Sequence, residues 1–71
     1  MTSLRSRRER LGLSQPQFGR LLGLSGPNAD RTVRRWEDGE TPVPGTVAAL
    51  LALMDQTPGA VDVLRRRAGL S

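Results

Sequence analysis

Residues 14–39 read Ser14-Gln15-Pro16-Gln17-Phe18-Gly19-Arg20-Leu21-Leu22-Gly23-Leu24-Ser25-Gly26-Pro27-Asn28-Ala29-Asp30-Arg31-Thr32-Val33-Arg34-Arg35-Trp36-Glu37-Asp38-Gly39. This stretch opens on a strong helix-start signal. Ser14 can accept from the amide of Gln17 while the Gln17 side chain reaches back, and Pro16 falls in the first turn, where no intrahelical N–H is needed. Phe18, Leu21 and Leu22 then supply a buried stripe, and Gly23 offers a left-handed stop. A second helix starts somewhere within Ser25 to Asn28 and ends before Gly39. At about 100° per residue, Ala29, Val33 and Trp36 share one face of it, while Asn28, Arg31 and Arg35 lie opposite, flanked by Thr32 and Arg34.

Outward from this core the same period persists. Apolar residues recur at steps of three and four, period-two alternation is missing, and neither Ile nor Tyr occurs. The chain therefore reads as all-α, a compact bundle of about five short helices. The first runs from about Ser3 to Leu11, with Leu4, Arg8 and Leu11 on one side and Gly12 beyond its end. Pro42 and Pro44 bracket a turn, after which Val47, Leu50, Leu51 and Met54 form the inner face of a fourth helix. Thr57-Pro58 reads as cap plus first residue of a fifth, with Val61, Leu64 and Ala68 on one side and Arg65, Arg66 and Arg67 at its basic end.

The chain has 71 residues and a formal net charge of +4, and all 11 of its cations are arginine. That length is expected to hold one domain, residues 1–71, with the two-helix motif at about 14–38 and helices four and five at about 44–68. With no Cys and no His, zinc sites of Cys/His type and triads using either residue are excluded. The longest apolar run, Val47 to Met54, is too short to span a bilayer. Glu37, Asp38 and Glu40 cluster, yet no nucleophile, metal-ligand set or pocket accompanies them, so the expectation is a protein that is not an enzyme and takes no cofactor, metal or small-molecule ligand. The predicted location is cytoplasmic, on the nucleoid, with no membrane contact.

A face carrying Asn28, Arg31, Thr32, Arg34 and Arg35 offers guanidinium forks, an amide and a hydroxyl, the groups that fit guanine O6/N7, adenine N6/N7 and phosphate oxygens. Charged helix faces are usually just solvated. Here the capped preceding helix, the Gly-containing connection and the basic balance point further. The combination of Leu4, Arg8, Leu11 through Gln15, Phe18-Gly19, Leu21 through Ser25, Val33 and Trp36 through Gly39 resembles the Xre/Cro-like (lambda-repressor-like) helix-turn-helix regulators over roughly residues 4 to 54.

That resemblance implies a first helix that braces the motif, a second across the DNA backbone and a third in the major groove. It implies a phosphate contact for Gln15, which is otherwise an ordinary polar residue at a helix start. Gly19 matches the family's small residue at the helix crossing. Arg31, Thr32 and Arg35 match its groove-facing positions. Arg8 and Glu37 match an ion pair between helix one and the end of helix three. Their placement agrees: each falls on an otherwise apolar side, where a lone buried charge is costly.

Two departures stand out. Between Ser25 and Trp36 the chain is about four residues longer than the family spacing, close to one turn of 3.6. Two arrangements are open: helix three begins a turn early with its faces preserved, or the extra residues form a longer loop. After Gly39, Glu40 replaces the family's usual polar or cationic residue, which shifts the backbone contact at that point toward Gly39 or Thr46.

The implied function is a sequence-specific binder of double-stranded DNA. It would act as a repressor or autorepressor on an inverted-repeat operator as a homodimer, of the phage, mobile-element or anti-CRISPR-associated kind. The alternatives are the DNA-binding antitoxin of a toxin-antitoxin pair, or an interaction adaptor that keeps the fold without reading DNA. Leu53, Val61, Val63, Leu64 and Leu70 are the candidate dimer contacts, unless they merely close a monomeric core.

Overall fold

The computed structural model describes residues 3–70, so the outermost limits of the expected domain, residues 1, 2 and 71, lie outside the described part. Five helices follow in order: α1 (Leu4–Arg10), α2 (Gln15–Leu21), α3 (Ala29–Asp38), α4 (Gly45–Gln56) and α5 (Ala60–Arg67). No strand occurs among the described residues.

Local chemistry sets most of these limits. Ser3 caps α1, its hydroxyl accepting from the Ser6 amide at 3.1 Å, so Ser3 and Leu11 flank the helix rather than belong to it. The α2 start is a closed capping box: Ser14 Oγ accepts from the Gln17 amide at 3.3 Å and Gln17 Oε1 accepts from the Ser14 amide at 2.9 Å. At the other end of α3, Gly39 takes φ 78°, a left-handed conformation that a side chain would strain.

The junction between α2 and α3 takes the first of the two arrangements left open by the sequence. Gly26, Pro27 and Asn28 make a turn, and α3 begins at Ala29, a turn early, with Asn28 at its N-cap. Ala29 is buried with Val33 and Trp36, so the added turn extends the inward stripe without rotating it. It also explains Gly19. A Cβ there would lie 3.1 Å from Ala29 Cβ and 3.5 Å from Val33 Cγ2, so α2 and α3 cross closely because this position has no side chain.

The expected start of helix five is corrected. Thr57 and Pro58 do not open it; α5 begins at Ala60, after Gly59 at φ 86°. Thr57 instead closes α4, its N–H donating to the Leu53 carbonyl at 2.9 Å with extended φ and ψ of −116° and 107°. Extended backbone at the residue before a proline suits a helix end and a helix cap alike; it is Gly59, in the left-handed region, that interrupts the chain after Pro58 and delays α5 to Ala60.

The core lies where all five helices converge. Phe18, Leu21 and Val33 are fully enclosed, surrounded by Leu13, Leu22, Trp36, Val47, Leu51, Met54 and Leu70. Burying each large side chain of this kind contributes about 1.5–3 kcal/mol. Leu70 is therefore withdrawn from the candidate dimer contacts: it is 7% exposed and belongs to the monomer's own interior. Val61 and Leu64 are half-buried against the same core, leaving Leu53 and Val63 as the large apolar side chains that face outward.

Candidate nucleic-acid interface

The position of α3 is set by its two faces. Inward, Val33 is fully buried and Ala29 and Trp36 nearly so. Outward, Arg31, Arg34 and Arg35 are exposed, as is Asn28 at the N-cap. Anchored on one side in the core, the helix presents its guanidinium side to solvent as a rigid ridge.

The site residues on this ridge differ in how committed they are. Arg31 and Arg34 have no carboxylate within ion-pair distance among the described residues. Arg35 Nε lies 3.9 Å from Glu40 Oε2, a loose exposed pair of little energetic weight. Thr32 is half-buried and its hydroxyl donates to the Asn28 carbonyl at 3.1 Å, which ties the side chain back onto the first turn. Asn28 makes no side-chain cap to the helix, so its amide is uncommitted there. Thr46 sits exposed in the first turn of α4.

Behind the ridge stands a charge cluster centred on Glu37, whose side chain has no exposed surface. Arg8 reaches it from α1 with two donors, Nε to Oε2 at 2.6 Å and Nη2 to Oε1 at 3.3 Å. Arg5 Nε and Gln15 Nε2 each donate to Oε1 at 3.3 Å. Arg8 Nη1 also donates to the Leu13 carbonyl at 3.0 Å, so one guanidinium holds both α3 and the turn that leads into α2. Burial pushes the Glu37 carboxyl up, but hydrogen bonds from Arg8, Gln15 and Arg5 outweigh it and hold the group below the usual carboxylate range. The Glu37 hydrogen bond correspondingly raises Arg8.

Sequence reasoning paired Arg8 with Glu37 but did not find Arg5 or Gln15 in the same cluster. Gln15 stood out only as a phosphate candidate, and one of its amide hydrogens is spent on Glu37. The C-terminal arginines also divide in a way the sequence did not show. Arg65 Nη2 donates to the Leu11 carbonyl at 2.5 Å, and Arg67 Nη2 to the Arg20 and Leu21 carbonyls at 3.1 and 3.4 Å. These oxygens lie at the C-terminal ends of α1 and α2, where carbonyls lack intrahelical partners and the helix dipole favours cations. The available signal was a cation run on a helix that must pack somewhere, which names no partner. Arg7 pairs with Asp55 and links α1 to α4.

The described residues contain no group of His, Cys, Asp and Glu able to hold a metal ion, and no helix among them is long and apolar enough to cross a membrane.

Comparison with known proteins agrees with this architecture. Residues 2–64 match the family model described as a helix-turn-helix domain. The chain is 47% identical over 53 residues to the type II methyltransferase M.SsoII of Shigella sonnei, covering 75% of this chain and 13% of that protein. It is 38% identical over 56 residues to the type II methyltransferase M1.ScrFI of Lactococcus lactis subsp. cremoris, covering 78% of this chain and 14% of that protein. The transcriptional repressor protein KorC of Escherichia coli is 48% identical over 40 residues, 56% of this chain and 46% of the repressor. The matched segments thus make up less than half of each relative, and the methyltransferase activity is not carried over to this chain. No solved structure gives a significant match. With an outward arginine ridge on a core-anchored α3, a capped α2 crossing it at Gly19, and a family match over residues 2–64, the chain belongs to the helix-turn-helix domain family of DNA-binding folds.

Proposed function

We propose that this protein binds double-stranded DNA sequence-specifically and represses transcription, with α3 in the major groove and α2 across the phosphate backbone. The observation that carries this reading is the division of α3, with Ala29, Val33 and Trp36 buried on one side and Arg31, Arg34, Arg35 and Asn28 exposed on the other. The relationship to KorC supports the repressor role. In this reading the three arginines and Asn28 meet base edges and nearby phosphates. Thr46 and the second amide hydrogen of Gln15 meet the backbone, while Arg8 and Glu37 hold α3 in place. Thr32 acts through its bond to the helix start. The protein performs no catalysis and works on the nucleoid in the cytoplasm.

One α3 covers only a few base pairs, so specificity requires two copies on an inverted repeat with half-sites about one helical turn apart. Leu53 and Val63 are 53% and 56% exposed, and they supply the apolar contacts of the homodimer on α4 and α5. Two measurements on the full chain test the reading. Selection from a random duplex pool is expected to return a two-fold symmetric sequence. Its affinity should fall with salt with a log–log slope of about −0.9 per phosphate neutralised. A salt-independent association, or no association with duplex at all, would remove the interface.

A further inference from the structure

Three arginines stand on the exposed side of α3, but they are not equivalent. Arg35 is drawn toward Glu40 at 3.9 Å, and it lies in the last turn of the helix. Arg31 is the third residue of the helix and Arg34 the sixth of its ten, and neither carries such a partner among the described residues. In helix-turn-helix docking it is the N-terminal part of the recognition helix that approaches base edges. Arg31 therefore occupies the place where bases are read, Arg34 follows three residues on, and both forks are free of the carboxylate that lies beside Arg35.

Their spacing adds a second constraint. Residues i and i+3 on a helix have Cβ atoms about 5–6 Å apart and are offset by about 4.5 Å along the axis. Successive base pairs are stacked about 3.4 Å apart, so a helix inclined in the groove can set both guanidiniums against neighbouring pairs. A guanidinium fork matches guanine best, donating to O6 and N7 together. Adenine offers one acceptor and one donor on that edge, and cytosine offers a donor, so neither satisfies two parallel N–H groups. Asp30, exposed in the first turn, adds a negative charge beside Arg31 and Arg34. Its carboxylate suits the N4 amino group of a cytosine and opposes close approach to phosphate.

We propose that Arg31 and Arg34 read two adjacent guanines in each half-site, so that the operator carries a GG step (CC on the other strand) where the first two turns of α3 enter the groove. This rests on the DNA-binding reading above and adds to it the identity of the bases.

The test uses the full chain throughout. Duplexes selected from a random pool are expected to share a GG step at the same place in both half-sites. Replacing each of those guanines by 7-deazaguanine deletes N7 while leaving base pairing intact, and should weaken binding by roughly 5- to 150-fold per position. Arg31→Ala should abolish the preference at one guanine and Arg34→Ala at the other, with each variant still binding the remaining sequence. The 7-deaza arm needs no protein variant, so a folding defect cannot mask the answer. A symmetric selected site with no adjacent guanines, or guanines whose 7-deaza replacement leaves affinity unchanged, would overturn the base assignment while the DNA-binding reading stands. Failure to select any duplex would overturn both.

Discussion

Two regions of this small protein use the same side chain for opposite ends. Around Glu37, the arginines of α1 are consumed by the fold: Arg8 is 15% exposed, forks onto a fully enclosed carboxylate and also holds a backbone carbonyl. On the other side of α3, Arg31 and Arg34 stand in solvent with no carboxylate within ion-pair distance among the described residues. What separates the two sets is the availability of a partner in the folded chain. Where a carboxylate or a helix-end carbonyl lies within reach, the guanidinium becomes structural, as also happens at Arg65 and Arg67. Where none does, the charge stays open to solvent, as the proposed DNA contact requires. An unpaired ridge of this kind is stable only because the opposite face of the same helix is packed into the core.

Removing one partner of the Glu37 cluster should produce the largest effect. Arg8→Met leaves an enclosed carboxylate with only Arg5 and Gln15, and breaking a buried pair in this way costs about 3–5 kcal/mol. Urea unfolding followed by Trp36 fluorescence reads the loss directly, and an unchanged midpoint would show that the cluster is not structural. The same carboxylate predicts the acid limb of the stability curve. The Glu37 and Asp55 carboxyls are both held below their ordinary values, so each contributes stability that is fully present above the unfolded value of about 4.3 or 3.9. That contribution is lost as pH falls through the lower folded value. Thermal midpoints recorded from pH 7 down to pH 3 should therefore fall only at the acid end, and Arg8→Met should flatten that fall.

On the other side of α3 the pattern should invert. Arg31→Ala and Arg34→Ala are each expected to lower DNA affinity by about 1–3 kcal/mol. Both changes should leave stability within about 0.5 kcal/mol, as exposed substitutions do. Paired titrations and melts would show whether the two regions separate this cleanly. Arg65→Gln falls between the extremes. Its bond to the Leu11 carbonyl is charge-assisted and half-buried, and its loss should cost about 1.5 kcal/mol of stability with operator preference unchanged. The smallest effect is expected at Glu40. Glu40→Gln frees Arg35 and removes a negative charge from the ridge, which should raise DNA affinity by about 0.5 kcal/mol at low salt and less as salt increases.

Much of this was legible before any coordinate was known, because it rests on chemistry local in sequence. Ser14, Pro16 and Gln17 fix the start of α2 through bonds made within four residues, and Gly39 fixes the end of α3 through its own backbone freedom. The inward set Ala29, Val33 and Trp36 follows from helical periodicity alone. Thr57-Pro58 misled for the same reason: it carries the local signature of a helix start, and only the continuation of α4 to Gln56 turns it into a helix end.

The amino-acid order by itself determined that the chain is helical, that α2 begins at a capping box, and that one helix has an apolar side and an arginine side, since periodicity and caps involve residues only a turn apart. Only the tertiary structure decided which arginines remain free. Apart from Arg8, whose pairing with Glu37 the resemblance already implied, a guanidinium's fate depends on carbonyls and carboxylates brought near it from distant parts of the chain: Leu11 for Arg65, Arg20 and Leu21 for Arg67, Glu37 for Arg5. The same holds for Leu70, whose apolar character is plain in the sequence but whose burial depends on α5 folding back across α2.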